Sequence, residues 1–386
     1  MAGKQAGDET SRYSFTDEQE EFRTVLRRFL DDKSPTTEVR RLMETETGWE
    51  RAGWQQLNSQ LGLTAVAIPE AYGGQGFGFV ELCIVLEEMG RALLCAPYFA
   101  SAVLATQAIL NAGSEEDKEA LLPAIASGET IATLAFTEDN GGWDSGAITM
   151  TATPSGSGYR LDGVKSFVLD GAAADLIIVV ARRPASSGDD GLGFFVVDAT
   201  ADELEKTPLV TMDATRKLAR LQFNGVEAKP LGDGNGAGAA FAKTMQQAAI
   251  ALASEMVGGA ERLRESAVDY AMMRMQFGRP IGSFQAIKHK CADMLVDVEL
   301  AKAAAYYAAA AAADEDEDLP AIASLAKASV SDAYMKTAID TIQIHGGIGF
   351  TWDNDTHLWF KRAKSSEVFL GDAHYHRELM LRHWDV

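Results

Sequence analysis

The amino-acid sequence predicts an α+β protein that is mainly α, with strands between two blocks of helices. Apolar residues recur at helical spacing up to residue 128, and short segments rich in Val, Ile, Thr and Phe follow to residue 236. Helical spacing then returns and continues to the C-terminus. The chain of 386 residues also exceeds the length at which one hydrophobic core stops growing, so we expect several packed parts.

The first helical block begins after a polar segment. Residues 1–14 are expected to form a flexible leader, and residues 15–128 an α-helical domain. Thr16 precedes Gln19 by three positions, which predicts a capping box at the start of the first helix. The one glycine-rich loop, IPEAYGGQGFG, lacks the GK[ST] of a phosphate-binding P-loop, so its simplest role is a tight connection.

The strand block, residues 129–236, alternates β-favouring segments with Gly, Ser and Asp turns, which predicts a domain of antiparallel strands. Residues 237–386 return to long helical stretches. One of these is dense in alanine, which suits close helix packing, and the acidic run DEDED after it predicts a solvated loop.

Composition excludes several classes of protein. The balance of 35 basic against 56 acidic residues gives a net charge of −21, which disfavours nucleic acid but permits a phosphorylated ligand in a local pocket. No apolar run is long enough to span a membrane and the N-terminus lacks a secretion signal, so cytoplasm is expected. Cys83, Cys95 and Cys291 are expected to be buried thiols, and their spacing predicts no metal site.

Several stretches each permit two interpretations. In RMQFGRPIGSFQAIKH an arginine offers a fork for phosphate or a cap for a helix end. In QIHGGIGF two glycines leave bare backbone amides, which accept a pyrophosphate or simply form a turn. LAFTEDNGGWDSGA ends a strand in small residues whose N–H groups are open to a planar or anionic ligand, and GVKSFVLDG is by itself an ordinary hairpin.

Together these stretches resemble the acyl-CoA dehydrogenase family, over essentially the whole chain from Phe15. The resemblance rests on PEAYGG at 69–74, TEDNGGWD at 137–144, GVKSF at 163–167, RMQFGRPIGSFQAIKH at 274–289 and QIHGGIGF at 343–350. It implies an N-terminal helical domain, a middle β-domain and a C-terminal four-helix bundle that enclose FAD and an acyl-CoA thioester. It also implies an oligomer, because the family shares its FAD sites between subunits.

The resemblance assigns FAD contacts by position. The residues that resemble the wall beside the flavin ring are Phe136, Thr137, Gly142, Trp143 and Phe167. Those that resemble the group reaching a neighbouring subunit's FAD are Arg274, Phe277 and Gln285, and those at the pyrophosphate side are Gln343, Gly346 and Gly347. The implied reaction removes a Cα proton and transfers hydride from Cβ to FAD, which leaves a trans-2-enoyl thioester. It needs a carboxylate base and donors at the thioester oxygen.

The chain departs from the family at both positions where members carry that base. Leu370 stands at the usual glutamate and retains only its backbone amide, and Ala248 stands at the alternative position on the long helix. Ala249 replaces the arginine usual beside it, Trp143 replaces a serine, and Leu169 a threonine beside the flavin.

Other side chains are weak substitutes for the missing base. Asp372 is expected to cap the last helix, with catalysis as its less favoured role. Glu255 is expected to face packing or solvent. His345 lies in the glycine turn, whereas His374 and His376 are expected on the surface.

The favoured hypothesis is therefore an FAD-bearing acyl-CoA dehydrogenase subunit in a homo- or hetero-tetramer, with a related partner chain supplying the base. Family members that lack the base in this way act on sterol-like acyl-CoA thioesters, and an electron-transfer flavoprotein is the expected electron acceptor. Two alternatives stay open: a non-catalytic subunit that completes its partner's FAD site, and a flavin oxidase or monooxygenase on the same fold. The acyl group is not predicted.

Overall fold

The computed structural model describes residues 15–233 and 236–386, so the predicted leader, residues 1–14, lies outside the described residues. The first helical block contains α1 (Asp17–Lys33), α2 (Thr36–Met43), α3 (Arg51–Leu61), α4 (Phe79–Ala92), α5 (Thr106–Ala112) and α6 (Glu115–Ala126). The predicted capping box is confirmed, since Thr16 and Gln19 each accept the other's backbone N–H. A π-helical segment, Phe99–Ala105, leads into α5.

The glycine-rich loop before α4 is a tight connection, as its composition suggests. A Cβ added to Gly74 would lie 1.8 Å from the carbonyl oxygen of Ile68, so only glycine permits the chain to pass so close to itself.

The strand block forms one seven-stranded sheet: β1 (Ala132–Ala135), β2 (Thr151–Ser155), β3 (Gly158–Leu169), β4 (Leu176–Arg182), β5 (Leu192–Asp198), β6 (Leu204–Leu209) and β7 (Leu218–Leu231). Pairing closes the ring β4-β2-β3-β7-β5-β4, around a core that includes Leu161, Phe195 and Phe223. Most pairs are antiparallel as predicted, but β4 pairs in parallel with β1 and, at Thr151 and Arg182, with β2.

The second helical block contains α7 (Gly238–Met273), α8 (Gln285–Ala313), α9 (Leu319–His345), α10 (Thr356–Val368) and α11 (Ala373–His383). A small hairpin, β8 (Met275–Gln276) and β9 (Arg279–Pro280), separates α7 from α8. Ala305, Ala308 and Ala309 of α8 are buried, and the acidic run follows α8 as a largely exposed connection to α9. The predicted mainly helical α+β class with a C-terminal helical bundle is confirmed.

The chain divides into two compact units. Of the described residues, unit 1 comprises 15–36, 79–94 and 249–386, and unit 2 comprises 37–78, 95–233 and 236–248. Within unit 1, α1 and α4 pack together and α4 also packs on α8. The three sequential domain boundaries therefore stay a prediction. No helix in the described ranges is both long enough and apolar enough to cross a bilayer.

The three cysteines differ in burial. Cys83 and Cys95 are buried as predicted, and burial raises the pKa of the Cys83 thiol to about 12. The prediction is wrong for Cys291, which is only half-buried. It lies on α8 and packs at the rim of a small apolar cluster that includes Met294 and Ile344, so the cluster covers only part of it.

Candidate functional site

The end of β1 places two predicted contact residues inside unit 2. Phe136 and Thr137 follow the strand directly and are 4% and 3% exposed. The ring of Phe136 lies 6.1 Å from that of Trp143 and 6.0 Å from that of Phe241. Trp143 is half-buried, so the structure brings it together with Phe136 and leaves one side of the indole open.

Gly142 lies in a turn that admits no side chain. A Cβ there would lie 2.2 Å from the Cβ of Ala147. Asn140 fixes the turn, because its Oδ1 accepts the Gly142 N–H at 3.0 Å and its Nδ2 donates to the Ala147 carbonyl at 2.6 Å. The requirement for glycine is therefore steric.

A buried ion pair holds the end of β1, and sequence reasoning missed it. Lys165 is fully buried and donates to Glu138 at 2.7 Å and to the carbonyl of Phe136 at 3.2 Å. Burial acts to raise the pKa of Glu138, but Lys165 and donors from Thr149 and Met150 hold it below its ordinary value. A lysine at an inward position of an apolar strand was the signal that would have found this pair.

Phe167 is turned outward by a local irregularity of β3. Its φ is +57° and the register with β7 shifts between Lys165 and Val168. The ring is 45% exposed. A bulge re-aims a side chain in this way, so Phe167 is presented on the sheet surface instead of the core. Leu169, two residues on, is buried.

In unit 1, three predicted contact residues lie between the end of α7 and the start of α8, around the hairpin β8–β9. Arg274, Phe277 and Gln285 are all exposed, and Phe277 is 91% exposed with a φ of +52°. The hairpin is nonetheless ordered, since the N–H of Ile281 donates to the Arg274 carbonyl at 2.8 Å. The hairpin therefore presents the Phe277 ring to solvent.

The glycine turn after α9 leaves open space beside its two glycines, but the Gly346 N–H is not bare as predicted, because it caps α9 by donating to the Ile342 carbonyl. Gly346 has a φ of +65°, and a Cβ added to Gly346 or Gly347 would meet no atom within 4 Å. Gln343 is exposed beside them. His345 is buried, stacks on Tyr270 with ring centroids 4.3 Å apart, and donates from Nδ1 to the Thr341 carbonyl at 2.9 Å. Burial lowers its pKa, so His345 packs the helix end as a neutral side chain.

Leu370, at the expected base position, lies in the turn between α10 and α11. It is 4% exposed and has a φ of +64°. Asp372 caps α11 as predicted, because its Oδ1 accepts the Tyr375 N–H at 2.8 Å. The only carboxylate in this turn is thereby engaged as a helix cap.

The alternative position that the resemblance assigns to the base holds an alanine. Ala248 and Ala249 are both buried in α7. Glu255, further along the helix, is buried and pairs with buried Arg362 at 2.7 Å, so it faces packing rather than solvent.

The prediction that His376 lies on the surface is wrong, whereas His374 is exposed as expected. His376 is 4% exposed, and its Nε2 donates to the Leu370 carbonyl at 2.9 Å. Burial lowers its pKa to about 4. It lies on the face of α11 that packs on α9, and the sequence of so short a helix did not identify that face.

Three family models match the chain along most of its length. Residues 16–129, 133–226 and 234–384 match the family models described as acyl-CoA dehydrogenase N-terminal, middle and C-terminal domain. Acyl-CoA dehydrogenase IpdE2 of Mycobacterium tuberculosis is 35% identical over 332 residues, 86% of each chain.

Two similar solved structures are heteromeric by name. A variant of the Tcur3481-Tcur3483 steroid ACAD matches with a TM-score of 0.86 and 31% identity over 96% of this chain and 99% of that one. The ChsE4-ChsE5 complex of Mycobacterium tuberculosis matches with a TM-score of 0.86 and 28% identity over 97% and 98%.

These matches define the class of the chain as an oxidoreductase. It belongs to the acyl-CoA dehydrogenase family, which implies a flavin cofactor.

Proposed function

We propose that the chain takes part in the FAD-dependent α,β-dehydrogenation of an acyl-CoA thioester to the trans-2-enoyl-CoA, with a related partner chain supplying the base. The observation that carries the proposal is the turn at Leu370. It has a buried backbone N–H that makes no hydrogen bond among the described residues, and no side chain able to take a proton.

The described residues fit FAD. The open space beside Gly346 and Gly347 admits a pyrophosphate, and Arg274 is an exposed cation whose guanidinium suits phosphate oxygens. Phe136, Thr137, Gly142, Trp143 and Phe167 would lie against the flavin ring, and Gln343 would lie beside the pyrophosphate. Arg274, Phe277 and Gln285 would reach the FAD of a neighbouring subunit.

Each group then has one role in the reaction. The N–H of Leu370 donates to the thioester oxygen and stabilises the charge that develops as the Cα proton leaves. Bound FAD supplies the hydride acceptor for Cβ. Trp143 stands where the family usually has a serine, and its larger side chain would narrow the substrate pocket beside it. An electron-transfer flavoprotein is the proposed acceptor that reoxidises the cofactor.

The base is proposed to come from outside this chain. Leu370 and Ala248 stand at the two positions where family members carry the base. The nearby carboxylates are engaged elsewhere, since Asp372 caps a helix and Glu255 pairs with Arg362. The names of the two solved relatives describe assemblies of two different chains, which supports a hetero-tetramer. One of them is described as a steroid ACAD, which supports a ring-bearing acyl group as the substrate class.

Anaerobic mixing with acyl-CoA thioesters tests the partner requirement. The purified full chain is compared with the complex that forms on co-expression with a related chain retaining the glutamate, and native mass spectrometry defines each assembly. We expect flavin absorbance to fall only for the complex. Reduction by the chain alone that is abolished in Asp372→Asn would assign the base to Asp372 and remove the need for a partner.

A second candidate, a subunit that completes its partner's FAD site without turnover, is favoured by the exposure of Arg274 and Phe277. In that case Arg274→Ala lowers the FAD content of the complex, while no thioester binds to the turn at Leu370. Thioester binding to that turn would favour the catalytic role.

A further inference from the structure

The turn that contains Leu370 is held by two buried side chains from neighbouring helices. Lys327 of α9 is fully buried, and its Nζ donates to the carbonyls of Gly371 at 2.9 Å and Glu367 at 3.2 Å. His376 of α11 donates to the carbonyl of Leu370 at 2.9 Å. Three carbonyls within five residues of chain are thus fixed by side chains that solvent scarcely reaches.

The N–H of Leu370 is the exception in this turn. The neighbouring N–H groups of Phe369 and Gly371 donate to the carbonyls of Ser365 at 3.0 Å and Val368 at 3.1 Å, but Leu370 has no such partner within the described ranges. Its left-handed backbone costs about 1–2 kcal/mol for a residue with a side chain. Such a conformation persists only where the surroundings impose it.

We infer that Lys327 and His376 are positioning residues for the reaction. By fixing the carbonyls on both sides of Leu370, they hold its peptide plane so that the N–H is directed at the thioester oxygen. Neither side chain touches substrate in this arrangement. The inference rests on the proposed function and adds to it the source of the geometry at the donor.

The carbonyl stretch of a bound thioester tests the inference. The probe is crotonyl-CoA labelled with ¹³C at the carbonyl, bound to the FAD-loaded full chain with its co-purifying partner and measured by difference infrared spectroscopy. We expect a lower frequency than in free solution for the unmodified protein. His376→Leu and Lys327→Met are expected to return the band towards its solution value.

Matched variants separate positioning from general folding. His376→Gln retains the shift, because a glutamine amide can donate from near the position of Nε2, and exposed His374→Leu on the same helix also retains it. If Lys327→Met does not fold, the comparison of the carbonyl band in His376→Leu and His376→Gln tests the inference by itself. An unchanged band in folded His376→Leu overturns the inference, as does bound thioester without a shift in the unmodified protein. If the unmodified protein does not bind crotonyl-CoA, the same measurement is made with a ring-bearing 2-enoyl-CoA, and failure to bind either thioester contradicts the proposed function and therefore the inference too.

Discussion

At the residue scale, the site depends on buried charges. Lys165 and Glu138 lose their hydration on burial. The free-energy cost of that desolvation is offset only by their mutual contact and by several hydrogen bonds. Lys165 also donates to the carbonyl of Phe136 and so holds the backbone in place where β1 ends. The pair therefore fixes the position of residues proposed to lie beside the flavin.

Lys165→Met tests this role. Removing the ammonium leaves Glu138 as a buried unpaired charge, so we expect a loss of about 3–5 kcal/mol in the free energy of unfolding, measured by denaturant titration. The control is Arg160→Met on the same strand, whose pair with Glu227 spans 3.9 Å and is exposed. That change is expected to cost at most about 1 kcal/mol. Equal losses for the two variants would contradict a special role for Lys165.

The sequence identifies some site residues better than others. The helix break at Gly346 was predictable, because its positive φ follows from backbone geometry that a local motif already indicates. Lys165, Lys327 and His376 were not, because their roles depend on partners distant in sequence or on a buried face. The predicted FAD contacts of Arg274 and its neighbours stay predictions.

At the element scale, α1, α4 and α8 enclose a second group of buried charges. Glu87 of α4 accepts from Arg23 of α1 at 3.0 Å and from the hydroxyl of Tyr306 of α8 at 3.0 Å. Burial raises the pKa of Glu87 to about 7, against the opposing attraction of Arg23. Glu88, next in α4, accepts from Arg27 of α1. Ionised Glu87 is therefore a cost to the folded state.

The pH dependence of stability follows from this shift. Because the folded-state pKa is raised from 4.5 to about 7, the contribution of Glu87 is full below pH 4.5 and is lost as the pH rises through 7. Glu87→Gln removes the titration. The stability of the unmodified protein relative to this variant should fall by about 3 kcal/mol from pH 4.5 to pH 8.

Denaturant titrations of both proteins across this pH range measure the difference. Exposed Glu18→Gln on α1 controls for the loss of one charge. A difference that stays constant with pH would show that Glu87 does not ionise within the range.

Periodicity predicted the helices and strands because each element carries its own apolar pattern. The parallel pairing of β1 with β4 was not predictable in this way, since it joins Ala132 to Leu176 across an intervening hairpin. The packing of α1 and α4 with α8 in unit 1 was not predictable for the same reason, because these helices are distant in sequence.

At the scale of the whole molecule, the chain combines a net charge of −21 with apolar side chains left exposed in unit 1. Met272, Met273 and Phe277 are 69%, 71% and 91% exposed, and Leu300 of α8 is 66% exposed. An acidic surface favours solubility, whereas exposed apolar groups favour contact with another chain. Both features suit a subunit of the proposed tetramer, in which FAD and CoA need local compensation from cations such as Arg274.

Restoring a carboxylate at position 370 tests the central proposal most directly. Three FAD-loaded proteins are compared: the unmodified full chain alone, Leu370→Glu, and the control Leu370→Gln, whose amide cannot act as a base. Each is mixed anaerobically with straight-chain and ring-bearing acyl-CoA thioesters, and flavin absorbance is followed by stopped flow. We expect reduction by Leu370→Glu and none by the unmodified chain or Leu370→Gln. Reduction by the unmodified chain alone, as fast as by Leu370→Glu, would contradict the proposal that this chain lacks its own base.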